Sequence, residues 1–136
     1  DLSPVMVAAC QERGLKAEVK DFLSLDYPDG SFEAIYAMNC LLHVPNEDMP
    51  SVLTNLQRLL APAGLFYLGT YGGHEEEQYF GRGPTEGTRF YAFRTDEQLK
   101  EMVGRYFELV DFEVISKHTE NNDSMRFQKS FWRRPI

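Results

Sequence analysis

The chain has 136 residues, of which 43% are apolar, 13% aromatic and 26% charged; that describes a single domain able to bury a core, and it excludes a disordered or collagen-like chain. Twenty-one acidic against fourteen basic residues give a net charge of −7, which argues against a nucleic-acid binder, whose docking face must be basic. No apolar run approaches the roughly 18 residues of a membrane helix, and two cysteines, Cys10 and Cys40, are too few for a disulfide scaffold, so a reducing, cytoplasmic setting is expected, with no membrane partner.

Ser3 and Pro4 open a helix, as N-cap and first helical residue, which runs through Val5 to Arg13 and stops at Gly14. Ala17 to Val19 reads as a short strand closed by Asp21-Phe22, and Tyr27-Pro28-Asp29-Gly30-Ser31 as a turn. Phe32 to Met38 is an apolar run broken only by Glu33, which predicts a strand buried on both faces. Asp48 is placed to cap the next helix, with Pro50 in its first turn. Met49, Val52, Leu53, Leu56, Leu59 and Leu60 then follow at helical spacing as one apolar stripe. Pro62-Ala63-Gly64 ends that helix, and Leu65 to Leu68 is the next buried strand.

Six of the ten glycines fall between Gly69 and Gly87, among Tyr71, Tyr79, Phe80 and Arg82. This composition predicts a long loop of the functional kind. Phe90 to Phe93 reads as a short strand. Thr95-Asp96-Glu97-Gln98 is a capping box opening a helix whose buried face is Leu99, Met102, Val103 and Tyr106. Leu109–Ile115 and Arg126–Trp132 read as two antiparallel strands joined through Asn121-Asn122-Asp123. The order of elements predicts an α/β fold: a Rossmann-like three-layer sandwich, its sheet mostly parallel with an antiparallel C-terminal edge hairpin.

Several segments, in this order, resemble the class I S-adenosylmethionine-dependent methyltransferases of the small-molecule type. Asp1-Leu2-Ser3-Pro4-x-Met6 is similar to the segment ending that family's second strand, and Asp21-Phe22 with Leu25 to the segment after its third. Asp29-Gly30-Ser31-Phe32-Glu33-Ala34-Ile35 resembles the approach to the fourth strand, and Leu41-Leu42-His43-Val44 the stretch that follows it. Leu56-x-Arg58-x-Leu60-x-Pro62-Ala63-Gly64-Leu65-Phe66 resembles the corner before the fifth, with Ala63-Gly64 standing for the family's usual Gly-Gly. The family's first strand, glycine-rich turn, first helix and most of its second strand have no counterpart here. The resemblance therefore implies a single partial methyltransferase domain with its N-terminal strands missing and an open sheet edge at Phe32–Met38 where copies can pair as a homo-oligomer. It divides into a cofactor-side half (1–68), a substrate lid loop (69–94) and a C-terminal helix and hairpin (95–136).

The function implied is transfer of a methyl group from the cofactor S-adenosylmethionine to a small-molecule substrate, the fragment itself being inactive. Asp1, a carboxylate at a strand end, is expected to accept the ribose hydroxyls, the job an acid does in dinucleotide folds. Leu2 and Met6 flank the adenine, Asp21 and the Phe22 N–H reach its edge, and the carbonyls of Asn39 and Cys40 face the methionine portion. His43 is a candidate general base, its imidazole being suited to neutral pH. Tyr71, Tyr79, Arg82 and Arg89 are candidate acceptor-binding residues. His74-Glu75-Glu76-Glu77 reads as a solvated charge run, and no metal is expected. Two other readings are a non-catalytic methyltransferase-like binding module and a nicotinamide-dependent oxidoreductase. A Gly-x-Gly-x-Gly-like turn upstream would favour the enzyme over the module, and no residues here suggest a hydride-transfer site.

Overall fold

The structure is a computed structural model that describes residues 1–81, 87–118 and 124–136. Helix α1 spans Pro4–Glu12, with the Ser3 Oγ accepting the Met6 N–H at 3.3 Å and Gly14 taking a positive φ of 78° just past its end. Strand β1, Phe32–Met38, follows the turn at Gly30. Helix α2, Met49–Leu59, carries Pro50 in its first turn, although Asp48 makes no side-chain cap bond. Its stripe is buried as the spacing requires: Met49, Val52, Leu53, Leu56 and Leu59 all face the core.

Strand β2 runs Leu60–Gly72, β3 Glu76–Gly81 and β4 Thr88–Phe93. Helix α3, Asp96–Gly104, opens on the expected capping box: the Gln98 N–H donates to Thr95 Oγ1 and the Thr95 N–H to Gln98 Oε1. Strands β5, Glu108–His118, and β6, Ser124–Arg133, form the antiparallel hairpin. The main sheet is mixed and has the order β1-β2-β6-β5. Strands β1 and β2 are parallel, and β6 is inserted between β2 and β5, antiparallel to both. The pair β3–β4 makes a separate antiparallel sheet. The core lies between the helices and one sheet face, where Phe66, Leu68 and Trp132 meet Leu53, Leu56, Leu99, Val103 and Phe107. Trp132 Nε1 donates to Ser130 Oγ, which donates to the Leu68 carbonyl, so the buried indole leaves no orphan donor.

Three expectations are corrected. Residues 17–19 form no strand. Their neighbourhood meets the start of the chain through the Lys20 N–H on the Asp1 carbonyl and the Asp1 amino group on the Glu18 carbonyl, and two such contacts do not make a ladder. Strand β1 is not buried on both faces: only Ala37 is buried, Tyr36 is 70% exposed, and Phe32 and Met38 are exposed too, because β1 is an edge strand with one neighbour. The segment 69–87 is not one long loop. Strand β2 continues to Gly72 because Thr70, Tyr71 and Gly72 pair with Gln128, Phe127 and Arg126, and β3 forms by pairing with β4. Among the described residues no helix is long and apolar enough to cross a membrane.

Candidate active site

The site gathers at the carboxyl ends of the parallel pair β1–β2, where open α/β sheets bind ligands. Strand β1 ends abruptly. Asn39 takes a left-handed conformation, φ 52°, and its N–H donates to the Gly69 carbonyl at 2.8 Å. A non-glycine residue in that region stores backbone strain, tolerated best by asparagine. The side-chain carbonyl oxygen of Asn39 is buried and has no hydrogen-bond partner. An orphan acceptor of this kind costs about 1–3 kcal/mol and marks a position where a donor belongs.

Beyond Asn39 the chain makes a short 3-10 turn, Leu41–His43, with Leu41 and Leu42 buried beneath it. His43 is half-buried. Its Nδ1 lies 2.8 Å from the Phe90 carbonyl oxygen, and its ring meets Tyr91 edge-on at 4.8 Å between centroids. A carbonyl only accepts, so Nδ1 carries a proton and the ring is held in one orientation. A groove of about 860 Å³ opens beside these residues and is lined by Asp1, Leu2, Phe22, Asn39, Cys40, His43 and Arg89, with apolar residues of β1 as its floor.

The groove brings together seven of the residues singled out in the sequence. Asp1 is exposed, and one of its carboxylate oxygens accepts the Ser3 N–H at 2.8 Å. Its second oxygen has no partner among the described residues. Cys40 is half-buried, and burial pushes its thiol above the ordinary value against hydrogen bonds from the Leu41 and Cys40 N–H groups; it is a small neutral group rather than a thiolate.

The other candidates lie elsewhere. Asp21 caps the start of the 3-10 turn Phe22–Ser24, its Oδ1 accepting the Leu23 N–H at 2.9 Å, and it does not line the groove. Met6 is exposed on α1, away from the lining. Tyr71 packs against Phe127 at 5.2 Å on the sheet face. Tyr79 is 71% exposed on β3 and rests on Phe90. Arg82 lies outside the described residues.

One face of the β3–β4 hairpin carries Phe80, Tyr91 and Phe93, packed ring to ring within 5.8 Å and bordered by Arg89. His43 touches this face through Tyr91, and His74 touches it through Phe93. The hairpin is fastened to the turn after β1 by Glu77, whose Oε1 accepts the Asn46 N–H at 2.6 Å. Two residues near the site escaped the sequence reading. Arg94 and Gln128 are buried polar side chains, 2% and 0% exposed, and arginine beside a capping box ordinarily reads as solvated surface.

Residues 1–64 match the methyltransferase domain family. A sterol 24-C-methyltransferase from Yarrowia lipolytica is 30% identical over 101 residues, covering 74% of this chain and 24% of the relative. Among solved structures, a methyltransferase from Methanosarcina mazei described as S-adenosylmethionine-dependent superposes with a TM-score of 0.83 at 18% identity, covering 100% of this chain and 80% of that one. The 1,6-didemethyltoxoflavin-N1-methyltransferase of Burkholderia thailandensis, solved with 1,6-didemethyltoxoflavin and S-adenosylhomocysteine bound, superposes at a TM-score of 0.75 and 18% identity, covering 100% of this chain and 60% of that one. The chain is thus similar to the S-adenosylmethionine-dependent methyltransferases: it matches a methyltransferase domain over residues 1–64 and has the fold of their solved structures. It spans about a quarter of the length of the curated relative named here.

Proposed function

We propose that the full-length protein transfers a methyl group from S-adenosylmethionine to a small-molecule acceptor. The observation that carries this reading is the left-handed turn at Asn39, with its buried, unpartnered carbonyl oxygen, beside the Asp1 carboxylate in one groove. The cofactor offers hydroxyl and ammonium donors, and these residues are acceptors, so the donor and acceptor sets match. Asp1 takes the ribose hydroxyls, Leu2 and Phe22 flank the adenine, and Asn39 and Cys40 hold the methionine end. Asp21, which caps the 3-10 turn through the Leu23 N–H, holds Phe22 at the groove.

S-adenosylmethionine, when bound, supplies a methyl carbon made electrophilic by its positive sulfur. With the cofactor held there, His43 Nε2 would take the proton that the acceptor sheds on being methylated. The hydrogen bond from Nδ1 to the Phe90 carbonyl supports this role, since it holds the ring in place at the groove. The β3–β4 hairpin acts as the acceptor-side cover, with Arg89, which lines the groove, as its recognition residue. The rings of Phe80, Tyr91 and Phe93 suit an acceptor with an apolar body.

The setting is reducing and cytoplasmic, a reading supported by Cys10 and Cys40 both being free. The outer edge of β1 is a place where a second copy can pair. The test of function is calorimetric titration with S-adenosylhomocysteine together with an assay for transfer of labelled methyl. Cofactor binding with transfer supports the enzyme; binding without transfer to any acceptor points to a non-catalytic module.

A further inference from the structure

Arg94 follows β4 directly and turns its side chain inward until the residue is 2% exposed. The guanidinium donates from Nε to Asn46 Oδ1 at 2.6 Å and from one terminal nitrogen to the Val44 carbonyl at 2.7 Å. Its other terminal nitrogen makes longer contacts to the carbonyls of Leu41 and Ala92, at 3.5 and 3.4 Å. None of these partners is a carboxylate. Burial draws its pKa down to about 10, with the more distant Glu77 acting the other way. A cation buried among neutral acceptors is a cost to the fold, so it calls for a reason in the geometry.

The reason lies in what those acceptors belong to. Leu41, Val44 and Asn46 bracket His43 in sequence, and Ala92 is on the strand whose Phe90 carbonyl holds the His43 ring. The main chain of Arg94 is a junction as well. Its carbonyl accepts the Gly73 N–H at 2.9 Å, just past β2, and Gln128 Nε2 at 2.9 Å, from β6. One residue therefore joins the turn after β1, the end of β2, strand β6 and the hairpin. A lysine cannot substitute, because its donors radiate from one point whereas the guanidinium fork spans several carbonyls.

We propose that Arg94 is a positioning residue for methyl transfer: its guanidinium fixes the Leu41–Asn46 segment against β4, so that His43 keeps its ring on the Phe90 carbonyl and Nε2 toward the acceptor. This rests on the methyl-transfer reading above. A base must lie within hydrogen-bond reach of the proton it takes, and misplacement by about 1 Å is costly to rate. Arg94 touches no reacting atom and acts through His43.

The test is nitrogen NMR of the His43 ring in the full-length protein, comparing the natural sequence with Arg94→Lys, Arg94→Met and Asn46→Ala. The natural protein is expected to show His43 as a single Nδ1–H tautomer with a slowly exchanging proton. Both Arg94 variants are expected to lose that signal to exchange and to populate the Nε2–H tautomer, while the Trp132 indole signal stays in place. Lys129→Met, which removes a cation remote from the turn, is expected to leave His43 unchanged. Asn46→Ala, which removes one acceptor and keeps the guanidinium, is expected to give a smaller change of the same kind, and it decides the matter if the Arg94 variants fail to fold. An unaltered His43 tautomer in the folded variants overturns the proposal. Failure of the natural protein to bind S-adenosylhomocysteine overturns the methyl-transfer reading and this role with it; unchanged His43 signals in a protein that does bind overturn this role alone.

Discussion

The N–H of Asn39 meets the carbonyl of Gly69 at 2.8 Å, one step past the β1–β2 ladder, and this bond holds the left-handed turn at the mouth of the groove. Glycine adopts such a φ without the strain an asparagine carries, and Asn39→Gly also deletes a buried, unpartnered oxygen. The variant is expected to be at least as stable as the natural chain, within about 1 kcal/mol, by urea unfolding. It is expected at the same time to bind S-adenosylhomocysteine about tenfold more weakly, the loss of one good hydrogen bond. Unchanged affinity would show that the side chain has no part in holding the cofactor.

Leu56 sits at the middle of the α2 stripe, 4% exposed. Leu56→Ala is expected to cost about 2–5 kcal/mol, the range for emptying a packed site. Equilibrium denaturation reads this directly, and a loss under about 1 kcal/mol would mean the helix is not seated as described.

These helices were legible because their signals are local. The Ser3 cap, the Leu53–Leu56–Leu60 spacing and the Thr95–Gln98 box act within one or two turns of chain. The hairpin β5–β6 was legible as two runs with a polar connection, but its insertion beside β2 was not, since sequence order carries no neighbour information. The segment 69–87 was misread because glycine content lowers strand propensity. Tertiary pairing overrides it: Gly69 pairs with Lys129 and Gly72 with Arg126, and a Cβ at either would crowd Tyr67 and Phe127, or Gln128. At the site, Asp1, Asn39, Cys40 and His43 were found through family spacing, whereas Arg94 and Gln128 were invisible because their partners are main-chain carbonyls and an acid dozens of residues away.

The Gly72 position gives its own prediction. A Cβ there would stand 2.5 Å from Gln128 Oε1 and 2.7 Å from the Arg94 carbonyl. Gly72→Ala is expected to destabilise the chain by about 1–3 kcal/mol, as overpacking does, and to disturb the His43 ring signals through Arg94. Gly81→Ala, where a Cβ meets nothing within 4 Å, is the control expected to leave both unchanged.

Asp96 predicts the acid behaviour. Burial raises its carboxyl pKa, but hydrogen bonds from Gln128 and Arg126 outweigh that and hold it below the ordinary 3.8. A carboxyl depressed in the folded state contributes stability that is present above its unfolded value and is lost as pH falls through its folded value. Stability is therefore expected to fall below about pH 4, and Asp96→Asn is expected to be less stable at neutral pH with a shallower acid limb. Parallel limbs in the two proteins would remove Asp96 from the account.

The cofactor reading is met most directly by calorimetric titration of the full-length protein with S-adenosylhomocysteine, the natural sequence beside Asp1→Ala. Asp1 lines the groove with one carboxylate oxygen uncommitted among the described residues, and two hydroxyl hydrogen bonds to a carboxylate are worth roughly 1.5–3 kcal/mol each. The expected result is micromolar binding by the natural protein and a loss of at least about tenfold in the variant. No binding by the natural protein, or equal binding by both, would contradict it.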